Sequence, residues 1–157
     1  MKYFIADTHF NHERVIESSA RPFNNVKEMN ESIIKNWNNT VNKNDIVYHL
    51  GDFGFGSLDE LKQIFDKLNG EKYLIMGNHD LRYGKNFFLK LGFVQVYKKG
   101  MLRLDKYLLT HYPRELEEQD AFNYYGHIHN QPEEEIYIDG KHKCISLERT
   151  NYKPIRI

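Results

Sequence analysis

Cysteine is nearly absent: Cys144 is the single one in 157 residues. That excludes an internal disulfide and a thiolate cluster for zinc, and Cys144 itself reads as a buried strand residue. Charge of one sign is missing too. Lys plus Arg and Asp plus Glu number 22 each, so no global field draws the chain to nucleic acid or an anionic membrane, and any polyanion must be held locally. No apolar run is long enough to span a bilayer, and the opening "MKYFIADTHF" places an aspartate too early for a signal-peptide core. A cytoplasmic protein with no membrane partner is expected. Repeats, linkers and low-complexity tracts are also lacking. What remains is 40% hydrophobic and 14% aromatic residues, enough to bury a core, and one domain over 1–157 is expected.

"KYFIA" (2–6) reads as a short buried strand, and Val26, Met29, Ile33, Ile34, Trp37 and Val41 follow at helical spacing with Asn25 as cap. "DIVYHL" (45–50) is a second strand. "SLDELKQIFDKLNG" is a helix that starts in a Ser57 to Glu60 capping box and stops at Asn69-Gly70. "KYLIM" (72–76) is a third strand, and a shorter helix over 85–91 leads to "FVQVY". This β-α-β-α-β order predicts parallel strands with helical crossovers. "MLRLDKYLLT" and "EEIYIDGKHKCIS" read as hairpins, the second around Asp139-Gly140, so the second half is expected to be mostly antiparallel.

Each unusual polar cluster directly follows an apolar run. "FIA" ends in Asp7-Thr8-His9, "IVYHL" in Gly51-Asp52, "YLIM" in Gly77-Asn78-His79-Asp80, "YLLT" in His111, and "FNYY" in Gly126-His127-Ile128-His129. Open α/β sheets place their sites beyond the carboxyl ends of the strands, so these groups are expected to converge on one crevice. In Asp7-x-His9 and His127-x-His129 the outer side chains point the same way if the backbone is extended.

Imidazole, carboxylate and one amide oxygen, without sulfur, suit borderline divalent ions such as manganese, iron, nickel or zinc better than calcium or magnesium. The ligands outnumber what one ion takes. Two ions roughly 3.5–4 Å apart, bridged by a carboxylate and a hydroxide, would use them all and clamp a transferring phosphoryl group. Two divalent charges against two aspartates and a hydroxide leave such a site net positive, suited to an anionic phosphate ester.

Asp-x-His, Gly-Asp, Gly-Asn-His-Asp, a lone His and Gly-His-x-His, in this order over residues 7–129, resemble the calcineurin-like metallophosphoesterases. The chain looks most similar to the small bacterial and phage members, on its "DTHF-x-H" and "RPF" segments as well. This resemblance implies an α/β fold, a four-layer α-β-β-α sandwich of two mixed sheets flanked by helices. It implies one metal held by Asp7, His9, Asp52 and His129 and the other by Asp52, Asn78, His111 and His127, with Asp52 bridging. His79 would contact the phosphate or the leaving-group oxygen, and Asp80 would orient its ring.

The implied activity is hydrolysis of a phosphate ester by a metal-held hydroxide, with two divalent ions, manganese favoured over iron, nickel or zinc. A chain this short has no room for a large capping domain, so an open site is expected. Neutral net charge and the lack of a basic stripe argue against a processive nuclease, and the expected substrate is a small, nucleotide-like phosphodiester, with longer nucleic acid left open. A phosphomonoesterase or nuclease at the same site is the alternative. A non-catalytic scaffold protein of the same fold is another, against which His79 and the full ligand set speak. Outside the motif blocks, His12 is expected to line the substrate crevice. Arg14, Arg21 and Arg82 lie near motif loops as candidates to grip a phosphate, and His49 reads as a hydrogen-bonded core residue or an outer partner of the ligands.

Overall fold

Residues 1–134 and 137–157 are described by the structure, a computed structural model. Strands β1 (Lys2–Ile5), β2 (Ile46–His49), β3 (Glu71–Ile75) and β4 (Gln95–Tyr97) run parallel in the order β4-β3-β2-β1. A last strand, β9 (Ile155–Arg156), closes the far edge antiparallel to β1. Parallel neighbours need crossovers, and α1 (Arg14–Ser18) with α2 (Val26–Thr40), then α3 (Leu58–Phe65), then α4 (Lys85–Leu91) supply them. A second sheet holds β5 (Met101–Leu104), β6 (Tyr107–Thr110), β7 (Phe122–Tyr125) and β8 (His142–Cys144) in chain order.

Local chemistry sets the helix starts. Asn25 Oδ1 accepts the Glu28 N–H at 2.9 Å, and Ser57 and Glu60 close the capping box on α3. Strand alternation then divides the core in two. Tyr3, Ile5, Val47 and Leu74 face Met29, Ile33, Trp37, Leu61 and Phe88 of the helices. Phe4, Ala6, Tyr48, Leu50 and Ile75 face Leu109 and Ile145 of the second sheet. Two mixed sheets flanked by helices are what the resemblance implied. Among the described residues, α1–α4 all bury side chains in the first of these cores, and the outer face of the second sheet is bordered by the irregular segment 112–117.

The second half is less antiparallel than expected. β5 and β6 form the predicted hairpin, but β6-β7 and β7-β8 are parallel pairs, joined by connections long enough to cross over. No second hairpin forms around Asp139-Gly140 among the described residues; 135 and 136, part of that expectation, lie outside them. Asp139 Oδ1 instead accepts the N–H groups of Lys141 and His142 and caps the entry to β8. β8 thereby ends beside β7 with its carboxyl end near β1, where Ala6 and Ser146 form an isolated parallel bridge.

Candidate metal centre

The loops that follow β1 and β2 run together. Asp7 N–H donates to Gly51 O and His9 N–H to Asp52 O, both at 3.0 Å, while Gly126 N–H donates to His111 O at 3.0 Å. Asp7, His9, Asp52, His127 and His129 all have positive φ, at 56°, 48°, 59°, 71° and 50°. For a residue with a side chain this conformation costs of order 1–2 kcal/mol, so its concentration here marks a site held in place by its surroundings. The extended backbone expected for Asp7-x-His9 and His127-x-His129 is therefore not what turns these pairs inward. Left-handed kinks do so, because the chain must leave each strand and still aim a side chain back over the sheet edge. Two glycines let the loops stack this closely. A Cβ on Gly77 would stand 2.7 Å from Asp52 N and His111 Cε1, and one on Gly51 would stand 2.5 Å from Gly77 N.

Seven side chains converge as a result. Asp7, His9 and His129 form one cluster; Asp52, His111 and His127 form another. Asp52 Oδ2 lies 3.4 Å from His111 Nε2 and 3.7 Å from His9 Nε2, so it faces both clusters. Asn78 Oδ1 lies 2.9 Å from His111 Nε2 and 3.1 Å from His127 Nδ1. Asp7 Oδ2 accepts His127 N–H and the Ser146 hydroxyl, whereas Asp7 Oδ1 and His9 Nε2 are buried with no partner among the described residues.

Those two orphaned atoms are the test of whether metals fit. Polar atoms this buried are nearly always hydrogen-bonded, and both belong to the cluster of metal-ligand type. Burial raises the Asp7 carboxyl above its ordinary value against the pull of His111 and His129, a balance that an adjacent cation would reverse. Outer contacts already fix two tautomers: His111 Nδ1–H donates to Leu50 O at 2.8 Å, and His129 Nδ1 is held by Glu148 Oε1 at 3.0 Å. The two clusters are consistent with a binuclear metal site.

The comparisons with known proteins agree with this geometry. Residues 3–152 match the calcineurin-like phosphoesterase family. The uncharacterized protein MJ1445 of Methanocaldococcus jannaschii is 39% identical over 162 residues, spanning 99% of this chain and 86% of that protein. The chain belongs to the calcineurin-like phosphoesterases. Gene 66 protein of Mycobacterium phage L5 is 37% identical over 82 residues, half of this chain and 39% of the phage protein. A crystal structure of the protein of unknown function AQ665 from Aquifex aeolicus superposes with a TM-score of 0.79 at 30% identity, over 99% of this chain and 94% of that one.

Around the clusters of this phosphoesterase, the remaining residues sort differently than expected. His79 stands outside both clusters, its side chain 42% exposed and its Nε2 4.0 Å from Asp52 Oδ2, with His9 and Phe55 as ring neighbours. No hydrogen bond joins Asp80 to that ring among the described residues. Its carboxylate is buried and accepts three backbone N–H groups, from Asp52 and Gly77 at 2.8 Å and Phe53 at 3.1 Å. Burial and the neighbouring Asp52 charge push the Asp80 pKa up to about 7, against the downward pull of those three donors. His12 sits half-buried at the rim, stacked on Phe55 with its Nδ1 3.0 Å from His9 Nδ1.

Arg21 cannot grip a substrate. Its buried guanidinium donates to Asp7 O at 2.7 Å, Thr8 O at 3.0 Å and Glu148 Oε1 at 2.8 Å, so every arm is spent on the β1 loop or on the segment after β8. Arg14 and Arg82 are exposed, and Arg82 lies over the rings of Phe55 and Tyr83 at 5.5 Å. His49 is a hydrogen-bonded core residue. Gly51 N–H donates to its Nδ1 at 3.2 Å, its Nε2–H donates to Thr8 Oγ at 2.9 Å, and the Thr8 hydroxyl donates to Phe53 O at 2.6 Å. Sequence reasoning missed Ser146 and Glu148. They too follow a strand, β8, but the hairpin reading placed that segment away from the other strand ends.

Proposed function

We propose that this protein is a binuclear metal-dependent phosphodiesterase that hydrolyses a nucleotide-like ester. One metal is assigned to Asp7, His9, Asp52 and His129 and the other to Asp52, Asn78, His111 and His127, with manganese as the first ion to test and iron, nickel or zinc next. When bound, the ions would supply positive charge for the phosphoryl oxygens and an activated water for in-line attack on phosphorus. Asp52 would turn Oδ2 toward both ions, while its Oδ1 accepts the His79 N–H at 2.9 Å.

The position of His79 carries the reading. Among the described residues it is the one histidine beside Asp52 that is both outside the two clusters and open to solvent. There it donates a hydrogen bond, and then a proton, to the ester oxygen that leaves. Phe55 and His12 flank it on one side, and Tyr112 flanks His127 on the other with ring centroids 4.2 Å apart. Two aromatic flanks suit the two substituents of a diester, whereas a monoester would use one.

Metal analysis and a substrate screen test this. Protein loaded with Mn²⁺ should approach two ions per chain and cleave aryl and nucleotide diesters faster than monoesters; Asp52→Ala should lose both ions. Full loading with no hydrolysis of any ester would leave the fold as a scaffold, and a preference for monoesters would overturn the substrate class.

A further inference from the structure

We infer that Lys98, Lys99 and Arg114, beside Tyr112, form a subsite for a second phosphate group of the substrate, one nucleotide away from the ester that is cleaved. The inference rests on the phosphodiesterase reading and narrows it to diesters that carry another phosphate next to a planar base. These three cations and Tyr112 line a cavity of about 160 Å³ whose inner wall is Gly77 and Asn78, the loop that faces the second cluster. In a chain whose acidic and basic residues balance, three cations around one hollow at the metal centre are a local positive field.

Their placement is built, not incidental to a loose loop. Lys98 and Lys99 occupy the middle of a turn closed by Gly100 N–H donating to Tyr97 O at 3.3 Å. Both ends of that turn are fastened to site strands: Met76 N–H donates to Tyr97 O at 3.1 Å, and His111 N–H donates to Gly100 O at 3.2 Å. The turn therefore moves with the ligand loops. Arg114 is fixed at its backbone, where its N–H donates to Asn123 Oδ1 at 3.0 Å and its carbonyl accepts from His142 Nε2 at 2.9 Å. All three side chains are exposed, and none forms an ion pair among the described residues.

Tyr112 supplies the other half of the recognition. Its side chain is 44% exposed although its ring packs on His127, so one face remains open beside the cations. An open aromatic face next to free cations is how proteins hold a nucleotide without reading its identity: the base stacks and the phosphate is neutralised. On the opposite flank, around Phe55, Arg82 lies over aromatic rings, and the hollow beside it sets Lys27 and Lys67 against Glu31 and Glu60, so its charges balance. The substrate is therefore gripped asymmetrically, and its second phosphate lies on the Tyr112 side.

Thymidine dinucleotides with a terminal phosphate at the 5′ end, at the 3′ end or at neither, together with an aryl diester, read this directly. Hydrolysis by the Mn²⁺-loaded protein and binding of the slowly cleaved phosphorothioate forms, read before turnover, should both improve about tenfold with a terminal phosphate at one of the two ends, the size expected of a few partly exposed charge contacts. Lys98→Ala with Lys99→Ala should abolish that preference, leave the aryl diester unchanged, and reduce the weakening of binding by added salt. Tyr112→Leu should weaken all dinucleotides and spare their phosphate preference. A double variant that keeps the preference, or loses aryl-diester turnover equally, overturns the subsite. Inactivity of the wild type on every diester would instead overturn the diesterase reading, and the binding comparison would still decide whether the lysines hold a phosphate.

Discussion

Asp80 Oδ2 accepts the backbone N–H of Asp52 at 2.8 Å, and this contact locks the loop after β2 to the loop after β3. The same oxygen takes Gly77 N–H and its partner oxygen takes Phe53 N–H, so three donors depend on one buried carboxylate. Asp80→Asn turns one acceptor oxygen into a donor against them. Leaving buried N–H groups unsatisfied costs roughly 1–3 kcal/mol, to be read as a lower urea midpoint. Metal content should fall with it, since Asp52 is placed by these bonds. Unchanged stability and metal content, with a loss confined to poor leaving groups, would return Asp80 to a role on His79.

Glu148 joins Arg21 and His129 in one buried network, with Oε1 taking Arg21 Nε at 2.8 Å and His129 Nδ1 at 3.0 Å. Its removal in Glu148→Ala strands the Arg21 charge, at a cost of about 3–5 kcal/mol, and frees the ring of His129. The affinity of the Asp7 cluster for its ion should fall about 10- to 100-fold, the usual effect of losing an outer partner. The other ion should be held more nearly as before. Titration of metal-stripped protein with Mn²⁺ distinguishes the two sites, and equal retention of both ions would remove Glu148 from the metal centre.

The contrast between these two residues shows where the sequence was readable. Asp7, His9, Asp52, Asn78, His127 and His129 were legible because each follows an apolar run with a glycine or another such residue close by, and the lone His111 because it ends an apolar run in the same series. The helices were legible from their caps and spacing. Side-chain direction was not. Nothing in "GNHD" says that Asp80 turns back to its neighbours' N–H groups while His79 turns outward, since that depends on the loop after β2 approaching within hydrogen-bond reach. Arg21 and Glu148 are 127 residues apart and meet only because β8 docks parallel beside β7, a pairing that no local pattern specifies. The left-handed backbone at the ligands was equally hidden, because Asp and His carry no sign of it.

His49 should give the fold a limb of acid sensitivity. Its ring is fully buried and neutral, and burial lowers its pKa from 6.5 to about 3. In the unfolded chain it takes up a proton near pH 6.5, so between these values the unfolded state binds more protons. Stability from this residue is complete above about 6.5 and is lost as the pH falls toward about 3. The slope approaches 1.4 kcal/mol per pH unit, about the value for one proton. His49→Gln should unfold with a shallower acid dependence than the wild type, both measured without metal so that ligand protonation does not enter. Parallel curves for the two proteins would show that His49 does not titrate on unfolding.

His79 gives the sharpest test of the chemistry, because its backbone and its ring have separate jobs. The N–H holds Asp52 Oδ1 at 2.9 Å and is retained in alanine, so His79→Ala should keep both metals. The half-exposed ring near Asp52 is what the departing oxygen would meet. A group that protonates a leaving oxygen typically contributes roughly 10²–10⁴ in rate, and its loss matters most where the leaving group is a strong base. Turnover on a nucleoside or alkyl diester should therefore fall by about that factor, while an aryl diester, whose phenolate leaves unaided, should lose much less. Measuring kcat for both esters together with metal content separates the possibilities. Equal losses on both esters with intact metals would make His79 a phosphate-binding residue, and loss of an ion would make it a ligand.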